Sequence, residues 1–261
     1  MPGSEGLRLA VLIDSDNTSA KQVKEILAEL AKYGTLTVKR AYGDWTTQYL
    51  AGWKHQLHVH AIQPVQQFGY TVGKNSTDSA LIIDAMDLLY SGNLEGFCLV
   101  SSDSDFTRLA TRLRESGKTV YGLGRSDTPV AFIAACDKFT FLEVLSQESL
   151  GTPEVGLALD TDGAQVTRSD PKANVVATVP KIPDVKEILS PAITGTSKES
   201  GWSSLSSVGS YIGKNHASFD PRNYGFARLS EMVRTLPYVE VKEVPDANNF
   251  IHLWVRLKKK R

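Results

Sequence analysis

Over the first 145 residues, short apolar runs of strand length alternate with longer stretches whose apolar residues recur at helical spacing, and this constrains the fold more than any other feature of the chain. Strands separated by helices do not pair as simple hairpins; they assemble into a mostly parallel sheet wrapped by helices. Residues 7–13 form a near-continuous apolar run that ends at Asp14. Over 19–33, Val23, Ile26, Leu27 and Leu30 make a helical stripe that Gly34 stops. The same reading places strands at 36–42, 58–64, 97–100, 119–123 and 139–144. It places helices near 48–54 and at 78–90, 106–115 and 129–135; the helix over 78–90 carries Leu81, Ile82, Ala85, Leu88 and Leu89 on one face. The expected unit is α/β, a five- or six-stranded parallel sheet with helices on both faces.

From 151 to 180 the pattern stops: Gly, Pro, Thr, Asp and Ala dominate, aromatics are absent and no period is sustained. We read three segments, a first domain over 1–148, a flexible linker over 149–180 and a second domain over 181–261. In the last, Val185, Ile188 and Leu189 predict a short helix and Leu205, Val208 and Ile212 a second. Phe226, Leu229, Met232 and Val233 predict a third, with Asp220-Pro221 as its start signal. Two strand-like runs, 238–244 and 250–257, flank Pro245-Asp246-Ala247-Asn248-Asn249. Three helices and a hairpin predict a small winged helix.

With 261 residues and 41% hydrophobic content, the chain can bury the cores of one medium and one small domain. Cys98 sits in the apolar run Phe97-Cys98-Leu99-Val100 and Cys136 follows Ala134-Ala135, so both read as small buried hydrophobes rather than a disulfide or a metal knuckle. No apolar run reaches bilayer length, and Met1-Pro2-Gly3-Ser4-Glu5-Gly6 lacks the basic and apolar parts of a signal peptide. A cytoplasmic protein with no membrane partner is expected; self-association is left open. The zero net charge hides an asymmetry. Residues 1–150 hold 14 Lys and Arg against 17 Asp and Glu, whereas 181–261 hold 13 against 8. Lys258-Lys259-Lys260-Arg261 supplies four of those cations, as a solvated tail or as phosphate contacts.

Several aspartates fall where a strand ends and a helix begins. In an open parallel sheet the ligand site lies beyond the carboxyl ends of the strands, where the strand order reverses. Asp14 ends the first strand, Asp103 and Asp105 follow a later one, and Asp78 lies in the first turn of a helix capped by Thr77. Converging carboxylates without matching cations repel one another unless a cation neutralises them. An oxygen-only donor set favours Mg²⁺ or Mn²⁺ over zinc, and such an ion supports phosphodiester hydrolysis. Any one aspartate alone reads more simply as a helix cap or turn residue; the set at strand-to-helix transitions carries the expectation. Asp84, six positions beyond Asp78, points about 120° away on the helix and is left outside the site. Asn17 either orients a ligand or caps the helix that begins near Ser19.

The segments Val11-Leu12-Ile13-Asp14-Ser15-Asp16-Asn17, Gly73-Lys74-Asn75-Ser76-Thr77-Asp78 with Leu81-Ile82-Ile83-Asp84, and Leu99-Val100-Ser101-Ser102-Asp103-Ser104-Asp105-Phe106 resemble the three signature blocks of NYN domains. The LabA-like group, a branch of the PIN-like nucleases, is the nearest in pattern, and the match covers about 7–146. The resemblance implies a Rossmann-like PIN fold, a Mg²⁺ or Mn²⁺ site and RNA cleavage. It makes Asp14, Asp78, Asp103 and Asp105 the acidic metal site and Asn17 its polar companion in catalysis. Ser102 stands where many relatives have Gly.

Farther on, Gly201-Trp202-Ser203-Ser204-Leu205, Val208-Gly209-Ser210-Tyr211-Ile212, Phe219-Asp220-Pro221-Arg222-Asn223-Tyr224-Gly225-Phe226 and Leu229-Ser230-Glu231-Met232-Val233 resemble the LOTUS or OST-HTH domain. That family implies a winged helix that binds RNA, G-rich or G-quadruplex RNA in minimal members, or in some animal proteins a helicase through an extra C-terminal helix. The last strand-like run lies close to Arg261, so RNA is the expected partner. From the residues themselves, Lys214, Arg222, Arg228 and Arg234 lie near Tyr211, His216 and Tyr224, pairing cations for phosphates with rings for bases. Lys214, Arg222, Tyr224 and Arg228 are taken as the RNA-binding set. The plainer reading packs Tyr211 and Tyr224 into the small core, and Trp202 is assigned to that core.

These features together predict a metal-dependent endoribonuclease whose winged helix concentrates RNA through a tether that fixes no single geometry. Two other readings compete. Asp14-Ser15-Asp16-Asn17-Thr18 satisfies the Asp-x-Asp-x-Thr loop of haloacid dehalogenase phosphatases, with Asp14 as nucleophile. A non-catalytic RNA-binding adaptor is the other.

Overall fold

β1 (Leu7–Asp14) runs through the middle of the first domain, and its last six residues are all buried. Successive side chains on a strand point to opposite faces, so a strand covered on both sides must be apolar throughout. Leu9, Val11 and Ile13 enter one core with Val23, Ile26 and Leu30 of α1 (Val23–Leu30). Ala10 and Leu12 enter the other core, with Leu81, Ala85 and Leu89 of α3 (Ser76–Tyr90), Leu109, Ala110 and Leu113 of α4 (Thr107–Glu115) and Phe132 and Ile133 of α5 (Val130–Ala135). The computed structural model describes residues 6–68, 76–148, 183–246 and 249–258. The linker expected at 149–180, the tail beyond Lys258 and the Gly73-Lys74-Asn75 part of the second block lie outside the described residues.

The remaining strands of this sheet are β2 (Gly34–Gly43), β3 (Gln63–Gln66), β4 (Gly96–Val100), β5 (Thr119–Gly124) and β6 (Lys138–Phe141). They pair in the order β3-β2-β1-β4-β5-β6, parallel throughout. This six-stranded sheet with helices on both faces is the expected α/β architecture. In this doubly wound order the winding reverses between β1 and β4, and a crevice opens beyond their carboxyl ends.

Two local expectations fail. Residues 58–64 are not one strand: α2 (Trp53–Val59) follows a 3-10 turn at Gln48–Leu50 and takes in His58 and Val59, and β3 begins only at Gln63. Trp53 and Leu57, four apart on that helix, pack on the α1 side of the sheet, and Ala61 at φ 49° turns the chain toward β3. The last strand ends at Phe141 rather than 144, because Leu142 and Leu145, three apart, reach the α1-side core from α6 (Leu142–Glu148). A run of Phe, Leu and Val satisfies both periods, and tertiary packing chose the helix.

The second domain packs α7 (Val185–Thr196), α8 (Leu205–Asn215) and α9 (Leu229–Thr235) against an antiparallel sheet of order β7-β9-β8. Its strands are β7 (Ser203–Ser204), β8 (Val239–Pro245) and β9 (Ile251–Leu257). Ile188, Leu189, Ile193, Val208, Ile212, Met232, Val233 and Val255 form the core. The side chain of Asp184 accepts from the Lys186 N–H and that of Ser204 from the Ser207 N–H, capping α7 and α8. Asp220-Pro221 opens a separate 3-10 turn, Pro221–Tyr224, which Gly225 ends at φ 81°, so the third helix starts only at Leu229. Trp202 is not in the core: it is half-buried, with Lys242 and Arg256 over its ring. Cys98 and Cys136 are buried and free as expected, and burial pushes the Cys136 thiol up to about 12.

The two domains touch. Arg222 donates from Nη2 to Oε1 of Glu29 at 2.8 Å and from Nη1 to Oε2 at 3.1 Å, and the Phe139 N–H donates to the Ala217 carbonyl at 2.9 Å. Among the described residues no helix is long and apolar enough to cross a membrane.

Candidate active site

Asp14 closes β1 with its side chain only 1% exposed, at the reversal point of the sheet. Its Oδ2 accepts hydrogen bonds from Asn17 Nδ2 and Ser101 Oγ, both at 2.7 Å, and its Oδ1 accepts from the Asp16 N–H at 3.2 Å. Ser101, just past β4, also accepts at its Oγ from the Asp103 N–H at 3.1 Å. One buried hydroxyl thus ties the end of β1 to the loop after β4. Asp103 in turn caps the 3-10 turn Ser104–Phe106, its Oδ1 accepting from the Asp105 N–H at 2.9 Å. Ser102 Oγ accepts from the Arg125 N–H at 2.8 Å, fastening the same loop to the end of β5.

Asp78 arrives from the first turn of α3. Asp78, Asp103 and Asp105 each place a carboxylate oxygen within 4.8 Å of the other two. Burial and the charges of Asp14, Asp103, Asp105 and Asp16 push the Asp78 carboxyl up to about 6. Asp16 is raised as well, by burial and by Asp14 and Asp44, against a lowering hydrogen bond from Thr77. Carboxylates this close together form a focus of negative potential, and an oxygen-only set of this kind suits a hard divalent cation. The residues present therefore fit a divalent ion at Asp78, Asp103 and Asp105. Asp14, expected as a fourth ligand, is not one of the three, and its oxygens are engaged by hydrogen bonds.

The NYN domain model matches residues 8–143, slightly more than half of the chain. The chain belongs to the NYN family. A second match, to the OST-HTH/LOTUS domain, covers residues 181–251. An NYN domain and an OST-HTH/LOTUS domain therefore stand in one chain, in the order that the motif blocks imply. An uncharacterised protein of Methanocaldococcus jannaschii is 25% identical over 124 residues, 45% of this chain and 47% of that protein, so the chain spans about half of that relative. A crystal structure of a Vibrio parahaemolyticus protein of unknown function aligns at 17% identity and TM-score 0.46, over 53% of this chain and 94% of that one. A solution structure of residues 175–257 of a Chromobacterium violaceum protein is 41% identical, with TM-score 0.27, over 31% of this chain and 86% of that one.

Within the NYN domain the structure gathers Asp14, Asn17, Asp78, Asp103 and Asp105 at one end of the sheet. Asp84 stands apart, accepting from Arg40 Nη1 at 2.8 Å and Tyr42 OH at 2.9 Å. Three contributors escape the sequence reading. Ser101 looks like filler between Val100 and Asp103; Thr77 reads as a cap and also serves Asp16. Asp44 follows β2 as Asp14 ends β1, and the same strand-end logic could have found it; its Oδ1 accepts from Thr46 Oγ1 at 2.6 Å and Gln66 Nε2 at 2.9 Å.

In the LOTUS domain the expected RNA-binding set divides. Lys214 and Arg228 are exposed. Arg222 is held by Glu29 and by Asp220, at 2.7 Å, and its side chain is only 15% exposed. Tyr224 packs on Phe219 with ring centroids 5.8 Å apart and donates its hydroxyl to the Pro183 carbonyl at 2.9 Å. The plainer packing reading describes Tyr224, and the interface between domains takes up the Arg222 guanidinium.

Proposed function

We propose that this protein is a metal-dependent endoribonuclease acting on cytoplasmic RNA, in which the NYN domain cuts and the LOTUS domain recruits the substrate. The observation that carries this reading is the triplet Asp78, Asp103 and Asp105, whose oxygens converge at the sheet reversal while negative neighbours raise Asp78. Asp78, Asp103 and Asp105 would hold Mg²⁺ or Mn²⁺, and the charge of Asp14 adds to theirs. When bound, the ion neutralises the phosphodiester and supplies a hydrolytic nucleophile at neutral pH. Asp14 orients Asn17, whose amide oxygen remains to accept from water or from a ribose hydroxyl. Ser101 holds Asp14 and the Asp103 loop in register, so that the acidic groups keep their spacing without relying on the ion alone.

The phosphatase reading needs Asp14 as an exposed nucleophile, but both of its oxygens accept hydrogen bonds in a buried position. The deciding experiment incubates the full chain with labelled single-stranded RNA, G-rich and unstructured, in Mn²⁺, Mg²⁺ or EDTA, beside Asp103→Asn. Cleavage that needs the metal and disappears in the variant supports the nuclease. Binding without cleavage across both metals and both RNAs replaces it with the adaptor.

A further inference from the structure

The LOTUS domain also brings rings and cations together on a face away from α8, which carries Lys214, and from α9, which Arg228 precedes. Val241 and Val255 pair across β8 and β9, and Val255 lies in the core. The flanking pairs, Lys242 with Trp254 and Glu240 with Arg256, therefore point to the opposite, outer face. Trp202, just before β7, joins them. Lys242 Nζ stands 4.3 Å from the Trp202 ring centroid and 5.9 Å from that of Trp254. The Arg256 guanidinium lies 4.6 Å from Trp202, and Lys198 Nζ lies 5.0 Å from Trp254. Lys198 and Lys242 are exposed and both indoles are half-buried. Along β9 the same alternation places exposed His252 ahead of Trp254, and Phe250, 68% exposed, sits at the hairpin end.

We propose that this outer face, built on Trp202, Trp254, Lys198, Lys242 and Arg256, is a stacking platform for single-stranded RNA. The proposal rests on the reading of the second domain as RNA-binding and names the surface that does it. His252 and Trp254, two apart on β9, stand ~7 Å apart along the strand, and Trp202 comes beside them from the start of the neighbouring β7. Exposed cation–π contacts contribute only about 0.5–1 kcal/mol each, whereas a base stacked on an aromatic ring contributes about 1–3 kcal/mol. An arriving base can therefore displace a lysine from an indole face, and the displaced ammonium is left beside the phosphates. Glu240 is already bonded to Arg256 at 2.7 Å and Asp246 to His252 at 3.1 Å, so these two acids are engaged while Lys198 and Lys242 reach solvent. A duplex buries its base faces in its own stack, which makes the single strand the fitting ligand.

The test is fluorescence anisotropy of a labelled single-stranded oligoribonucleotide with the full chain in EDTA, where cleavage does not consume the probe. Trp254→Ala should weaken binding about tenfold, as loss of one stacked base requires. Lys198→Gln with Lys242→Gln, two exposed changes that leave the core intact, should weaken it several-fold and flatten its dependence on salt. RNA should quench the indole fluorescence of the wild type, and less so in Trp254→Ala. Undiminished binding in the lysine pair, with loss instead in Lys214→Gln plus Arg228→Gln, would overturn the platform and leave the RNA reading standing. Equal affinity for a duplex of the same sequence would also overturn it. No RNA binding by the wild type would overturn both.

Discussion

Arg222 and Glu29, 193 residues apart, form a two-pronged ion pair around a carboxylate that is 2% exposed. Lys32 Nζ at 2.7 Å and Tyr33 OH at 2.9 Å complete the shell of Glu29. A buried charge with its partners in place is tolerated; one that loses its main partner destabilises the fold by about 3–5 kcal/mol. Lys32 and Tyr33 remain in Arg222→Ala, so the loss should sit near the lower end, about 3 kcal/mol. The two domains should then separate, seen as a larger radius of gyration in small-angle scattering. A double-mutant cycle with Glu29→Gln should return a coupling of about 1–3 kcal/mol.

The same pair sets a pH dependence. Burial by itself raises the Glu29 carboxyl, but hydrogen bonds from Arg222, Lys32 and Tyr33 outweigh it and hold the group at about 2 instead of 4.5. A carboxyl depressed on folding contributes stability that is complete above its unfolded pKa and is lost as pH falls through the folded one. The excess in melting temperature of wild type over Glu29→Gln should therefore be constant above pH 4.5 and shrink toward pH 2. An excess that persists unchanged at pH 2 would contradict the assigned pair.

Without metal, the acidic triplet is a source of strain. Asp78→Asn should stabilise the metal-free protein by about 1 kcal/mol, a figure discounted for the partial exposure of the group. Mn²⁺ should raise the melting temperature of the wild type, EDTA should reverse it, and the variant should respond less. Calorimetry of all three states checks this.

Ser101 acts through Asp14 and Asp103 and is a positioning residue. Ser101→Ala leaves the buried Asp14 carboxylate one donor short, at a cost of about 1–3 kcal/mol. Cleavage should fall about tenfold and the Mn²⁺ concentration for half-maximal rate should rise, while RNA affinity in EDTA stays unchanged. A merely structural role would lower the melting temperature without moving the metal requirement.

Asp84 should behave in the opposite way. It is bonded to Arg40 and Tyr42, and burial together with the Asp84 charge pushes the Tyr42 hydroxyl well above its ordinary range. Asp84→Ala should destabilise the NYN domain by about 1–3 kcal/mol while activity per folded molecule is retained, measured by cleavage normalised to folded protein.

Much of this site is legible in the chain because strand and helix periods are local. The apolar run over 7–13 has to be a strand, the stripe through Leu81, Ala85 and Leu89 has to be a helix, and aspartates at their junctions fall at the carboxyl edge of a parallel sheet. Periodicity is silent where one run suits two periods, as at Phe141 to Leu145, and there packing on α1 chose the helix. Strand order is silent too: only the placement of β1 beside β4 brings Asp14 to Ser101 and sets Asp103 and Asp105 facing Asp78.

By itself, the sequence determined most of the element types and the placing of Asp14, Asp78 and Asp103 at strand or helix ends, since each depends on residues a few positions apart. Only the tertiary structure decided that Arg222 serves Glu29, that Tyr224 packs on Phe219 and that Trp202 faces outward under Lys242 and Arg256. Those contacts depend on which surfaces meet, and no spacing along the chain encodes that for groups brought together only by folding.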